Sequence, residues 1–293
     1  MNVKEFATFT YRVLGERINF LYPYFEEYKL ILRKANIKIS FEAYISTLTF
    51  ISIFTFTFSL LPAYLILISI PTMNIAYKIL LPIGIAVLTG LLTFLTLYFY
   101  PYYRIDNRRR SIDNSMPYIA SFMAILAKAG ASIGDIFREL SKIERPKEIS
   151  EEASEIIRDV EVFGKDLITA VEKRAGETPS EYLAEVLLGI STMIRIGGNL
   201  EAYLIDEAER FITIRRTLIR EVNSILSSLT EIYVIMALVM PMLLIVISTI
   251  ISMMGGIIFG LNAKIIIEIL TFILTPTIFL TFTIIIDTIM TED

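Results

Sequence analysis

The chain has 293 residues, of which 55% are hydrophobic and only 20% charged, with a mean hydropathy of +0.63 and a net charge of −4. It contains no His, Cys or Trp. That composition excludes His/Cys zinc sites, thiol nucleophiles, disulfides, thiolate-held iron–sulfur clusters and any triad that needs imidazole as its base. The acidic balance argues against a general nucleic-acid binder, and the apolar excess points to lipid.

In chain order, residues 1–41 mix seven Lys/Arg with several Glu. They lack the short apolar core of a cleavable signal, so no signal peptide is expected. They read as an amphipathic cytoplasmic segment. Residues 43–70 and 79–103 carry no charge and are long enough to cross a bilayer, which takes about 20 apolar residues. They define a transmembrane hairpin over 42–103. A second hairpin is expected over 230–290, with spans at 231–254 and 265–287.

Eighteen of the 27 basic residues fall in 104–229 and seven in 1–40, with only Lys78 and Lys264 at the two short connections. By the positive-inside rule, both termini and 104–229 face the cytoplasm, and the turns 71–77 and 255–263 lie outside. Lys264 and Glu268, one turn apart, are expected to pair at the outer interface. The fold class is an all-α membrane protein: four transmembrane helices, with a cytoplasmic antiparallel bundle of about six helices between spans two and three.

Three junctions in 104–229 share a grammar. Gly130, Gly164 and Gly198 can each close a helix in the left-handed conformation, and Ser132, Asp166 and Asn199 can each cap the next. The glycines fall 34 residues apart, but the positions between them do not repeat, which favours one bundle over a helical-repeat array. From Asn199 no Gly or Pro occurs until Pro241, so one helix can run from the bundle into span three.

These features resemble the F-domain family of type II secretion systems, the inner-membrane platform proteins of secretion systems, type IV and tight-adherence pili and archaeal motility filaments. The resemblance is carried by Met116-Pro117 opening the bundle and by Leu126-Ala127-Lys128-Ala129-Gly130-Ala131-Ser132-Ile133. Further on, Val162-Phe163-Gly164-Lys165-Asp166-Leu167 and Gly197-Gly198-Asn199-Leu200 continue it. Upstream, Leu32-Arg33-Lys34-Ala35-Asn36-Ile37 looks like the segment ahead of span one in archaeal and tight-adherence members.

The family implies a non-enzymatic platform with a hexameric secretion-type ATPase and pilin-like subunits as partners. Where many members carry two F-domains, this chain shows one. That implies a homodimer or a paralogous F-domain partner.

The acidic run after residue 143 reads either as a docking surface for that ATPase, at Glu148, Glu151, Glu152 and Glu155, or as a solvated helix face. Arg215 and Arg216 on the connecting helix are further candidates for the same contact. Arg104, Arg108, Arg109 and Arg110 read as a membrane-proximal collar that meets anionic lipid. Pro62, Pro82, Pro241 and Pro276 place one proline in every span, as hinges or as structural kinks. Met236, Met240, Met242, Met253 and Met254 read as a groove for another helix or as lipid-facing packing.

No acid sits mid-membrane, no metal or cofactor site is expected, and no Gly-Lys-Ser/Thr phosphate loop occurs. The alternative reading is the membrane subunit of an ATPase-driven transporter, or a membrane-anchored adaptor. The transporter would need polar residues at mid-span, and the hydroxyls from Thr47 to Ser59 are the available ones.

Overall fold

A computed structural model describes residues 3–15, 22, 23, 25–68, 75–253, 265 and 268–291. The expected outer turn 255–263, most of the turn 71–77, Met254, and the Lys264 half of the Lys264–Glu268 pair lie outside them. The described residues form helices and no strand. The chain divides into two units, Met1–Glu209 and Arg210–Asp293.

The first unit opens with α1 (Val3–Leu14), which lies along α3 (Phe41–Ile68). The Thr10 and Thr47 hydroxyls meet at 2.8 Å, and the Phe6 and Phe50 rings at 6.1 Å. Between them, α2 (Tyr28–Lys34) ends at Asn36, whose φ of 50° is left-handed. An Asn tolerates that conformation better than most residues because its short polar side chain bonds locally.

α3 packs on α4 (Ile75–Lys128), a single helix of 54 residues. The expected boundary at 103/104 is therefore not a helix end. Met116-Pro117, read as opening the bundle, instead lies inside α4, with Met116 fully buried.

Three prolines, Pro82, Pro101 and Pro117, lie inside α4, and for Pro101 the structure supplies a remedy. Pro101 has no N–H to give the Leu97 carbonyl. The Tyr44 hydroxyl of α3 donates to that carbonyl at 2.7 Å. At the next residue, the Tyr28 hydroxyl donates to the Tyr98 carbonyl, and the two tyrosine rings stack. Burial and the neighbouring tyrosines Tyr44, Tyr102 and Tyr98 push the Tyr28 phenol well above its ordinary range, so it remains a donor.

The C-terminal half of α4 buries Ile112, Met116, Ile119 and Met123 at steps of four, three and four, one stripe of a helix. Against it pack α5 (Ile133–Ser141), α6 (Lys147–Glu161) and α8 (Glu181–Ile196), and α7 (Leu167–Glu177) packs on α6 and α8. They contribute Phe137, Leu140, Ile149, Ile156, Val171 and Leu187 among others.

The junctions follow one rule. Gly130, Gly164 and Gly197 have positive φ, and each stands two residues before a side-chain cap. Ser132 accepts from Asp135 N–H, Asp166 from Ile168 N–H and Asn199 from Ala202 N–H. The third left-handed residue is thus Gly197, not Gly198. Gly198 N–H bonds back to Met193 O at 2.9 Å, just as Ala131 N–H does to Leu126 O at 3.0 Å, the long return bond of a Schellman ending.

α9 (Leu200–Val234) starts in the first unit. In the second unit it is followed by a π-helical turn, Ile235–Val239, then α10 (Met240–Met253). A second π-helical turn, Leu270–Leu274, leads into α11 (Thr275–Thr291). Pro241 and Pro276 each stand just after such a turn. The proline ring collides with the carbonyl four residues back, and a widened turn removes the collision. Met240 N–H accordingly reaches Ile235 O, five back. Pro62 and Pro82 lie within regular α-helix.

The Tyr233 and Phe282 rings meet edge-on at 5.3 Å within this unit. Met236, Met240, Met242 and Met253 are exposed.

Among the described residues, three helices are long and apolar enough to cross a membrane: Phe41–Leu65, Leu80–Lys128 and Leu200–Ile247. The fourth apolar helix, Phe272–Asp287, is shorter. The hydroxyls expected to line a transporter cavity bond instead to their own helix. Thr47, Thr49, Ser52, Thr55 and Thr57 each donate to the carbonyl four residues back, and Ser59 to that three back.

Candidate functional site at the ion-paired junction of α4, α6 and α7

α6 shows its inward face as Ile149, Ala153 and Ile156, and Glu152 and Asp159 fall on that same stripe. The helix therefore carries two carboxylates inward. Glu152 is 3% exposed and lies between two guanidiniums. Arg108 of α4 brings Nη2 to 2.7 Å from Glu152 Oε1. Arg174 of α7 donates Nη2 to the same oxygen at 3.0 Å and Nε to Oε2.

Around this core, Arg108 Nη1 donates to the Lys34 carbonyl at the end of α2 at 3.1 Å. Asn36 Nδ2 donates to Glu151 at 2.5 Å. Arg33 pairs with Glu177 at 2.9 Å, and Arg174 stands 3.7 Å from the same carboxylate. One network thus ties α2, α4, α6 and α7.

Burial pulls the Arg108 guanidinium below its ordinary range, with Glu152 opposing. For Arg174, burial pulls the same way but Glu152 outweighs it, and the net direction is up. Both stay charged at any ordinary pH. Removing one partner of such a buried pair strands the other in low dielectric, at a cost of about 3–5 kcal/mol.

The second inward carboxylate, Asp159, holds Lys173 at 2.7 Å and Lys165 at 3.3 Å. Burial pushes its carboxyl up, but the two lysines outweigh burial and hold it below the ordinary range.

The expected docking residues separate in this structure. Glu152 is not a surface carboxylate: it sits on the apolar stripe of α6 and is consumed by Arg108 and Arg174. Glu148 is half-buried and accepts from the Ser111 hydroxyl at 2.8 Å. Glu151 is engaged by Asn36 and Glu155 by Arg158, and both remain partly exposed. Arg215 and Arg216 are exposed on the later part of α9, in the second unit.

Of the basic collar, Arg108 is 5% exposed and faces inward, so it cannot meet a lipid surface. Arg104 is exposed. Arg109 and Arg110 are also exposed, paired on their own helix with Asp113 at 3.4 Å and Asp106 at 3.1 Å. The partners Arg174, Glu177, Arg33 and Asn36 were not anticipated. The available signal was a charged residue on an apolar stripe: Glu152 three after Ile149, and Arg174 three after Val171. Among the described residues, no group of three acids can hold a metal ion.

A helical assembly with a buried charge network and long apolar helices defines a membrane-associated helical protein. Residues 119–248 match the family model described as Type II secretion system (T2SS), protein F. The matched stretch begins inside α4 and ends inside α10. It is also similar to the uncharacterized protein MJ1286 of Methanocaldococcus jannaschii, with 32% identity over 143 residues. That match covers 49% of this chain and 24% of the relative, so the chain spans about a quarter of the length of that curated relative. No solved structure matches.

Proposed function

We propose that the protein is a non-enzymatic assembly platform of the cytoplasmic membrane. In this reading it is multi-pass, with both termini and the α5–α8 helices on the cytoplasmic side, as the basic residues in 1–40 and 104–229 favour. A hexameric secretion-type ATPase engages the α5–α8 region, and the membrane helices engage pilin-like subunits of a pilus-like or archaeal filament. A second F-domain comes from another copy or a paralogue.

The observation that carries this reading is helix continuity. α4 runs unbroken from the second apolar stretch into the helical core that packs α5, α6 and α8. A rigid helix shared by membrane and core can transmit displacement between them. The F-domain match favours the platform over the transporter, and the bonds that the α3 hydroxyls make to their own helix count against a transporter's polar lining.

The test is co-purification of the full chain from detergent-solubilised membranes with the secretion-type ATPase of the same source. It is run beside Arg215→Glu/Arg216→Glu and Glu151→Lys/Glu155→Lys variants. Retention of the ATPase by the native chain, lost with either pair, supports the platform and names the contact. No retention by the folded native chain refutes it.

A further inference from the structure

A cleft of about 530 Å³ opens where the end of α2 and the following loop face α6 and α7. Five cations line it: Arg33, Lys38, Arg158, Lys173 and Arg174. Only two carboxylates do, Glu155 and Glu177. The carboxylates behind the wall do not restore balance. Asp159 is divided between Lys165 and Lys173, and Glu152 between Arg108 and Arg174.

The cations differ in how tightly they are held. Lys38 is exposed and forms no ion pair among the described residues. Among the described residues, Arg158 ion-pairs only with Glu155 on its own helix, and its side chain is 48% exposed. The Arg33–Glu177 pair is exposed on the Arg33 side. Solvent-exposed pairs of that kind are weakly held, so an incoming anion can recruit these groups.

The location identifies the anion. Lys38 is three residues before Phe41, where the first apolar helix begins. Lys38 on the cleft wall therefore lies next to the start of an apolar helix long enough to cross a bilayer. Basic side chains beside such a helix attract phosphate-bearing headgroups, and a phosphate diester accepts from several guanidinium and ammonium donors at once.

We propose that this cleft binds the phosphate headgroup of an anionic phospholipid and clamps the loop after α2 against α6 and α7. The proposal does not depend on the ATPase or on the platform reading.

The experiment titrates the full chain in detergent with fluorescent short-chain phosphatidylglycerol, and with phosphatidylcholine for comparison. It compares the native chain, Lys38→Gln/Arg158→Gln in the cleft, and Arg104→Gln/Arg110→Gln outside it. The expected result is preference for phosphatidylglycerol, weakened at least about tenfold by the cleft pair and unchanged by the outer pair. Equal weakening by both pairs, or none by the cleft pair, overturns the site. Displacement by free glycerol phosphate at the lipid's own concentration overturns the lipid as occupant. If Lys38→Gln/Arg158→Gln melts early, Lys38→Gln alone decides, since Lys38 supports no ion pair among the described residues.

Discussion

Arg108 Nη2 lies 2.7 Å from Glu152 Oε1, joining the helix that extends from the second apolar stretch to the helix that carries the acidic run. Both side chains are at least nine-tenths buried. A charge pair so placed contributes little net stability against an apolar alternative, because desolvation offsets the attraction. The pair joins the inward face of α6 to α4.

Glu152→Gln strands two guanidiniums on a neutral amide. Its expected cost is about 3–5 kcal/mol, read as a lowered melting temperature of the detergent-solubilised chain. Arg108→Met/Glu152→Met/Arg174→Met should melt higher than Glu152→Gln alone. If Glu152→Gln melts with the native chain, the carboxylate is not buried among these cations.

Tyr44→Phe removes the donor that serves the Leu97 carbonyl. Leaving that acceptor unpaired costs about 1–3 kcal/mol. In a Pro101→Ala background residue 101 has an N–H again, so Tyr44→Phe should then cost less. A double-mutant cycle on thermal melts measures the difference, and strict additivity would show that the two sites are uncoupled.

Asp159 predicts an acid sensitivity. Its carboxyl is held below the ordinary range in the folded chain, so its contribution is full above about pH 4, the unfolded value, and is lost as pH falls through the folded value. Lys173 is raised by Asp159, so its share is full below about pH 10 and lost above. Asp159→Asn should lower stability at pH 7 and shrink the gap to native below pH 4. A constant gap across that window would contradict the pairing.

Gly189 marks a close approach of α8 and α9: a Cβ placed there would stand 2.0 Å from the Tyr203 Oη. Gly189→Ala is expected to cost about 1–3 kcal/mol by overpacking, and close to nothing in a Tyr203→Ala background. The same cost in both backgrounds would refute the contact.

How much was legible in the sequence differs by element. The uncharged stretches beginning at Ala43 and Ile79 announce long apolar helices, because lipid rewards such runs. Ser132, Asp166 and Asn199 were legible as caps because their chemistry is local. Gly197 was displaced by one residue to Gly198, since two adjacent glycines both satisfy the left-handed requirement and only the spacing to the cap separates them.

The continuity of α4 was hidden by Pro101 and Pro117, which locally argue for a break. The compensating Tyr44 hydroxyl is 53 residues away from Leu97. Glu152 looked like one acid among several because its neighbours in sequence are acidic, while its neighbours in space are arginines from other helices. The π-helical turns before Pro241 and Pro276 leave no compositional mark.

The central claim, that the helical core continuous with the membrane helices receives an ATPase, is tested most directly by titration. The Cys-free chain allows a single fluorophore at Ser154→Cys, an exposed position on α6. The labelled full chain in nanodiscs is titrated with the secretion-type ATPase of the same source. The account predicts a saturable fluorescence change with co-sedimentation of the two proteins. A flat titration, with no co-sedimentation of the folded chain, would contradict it.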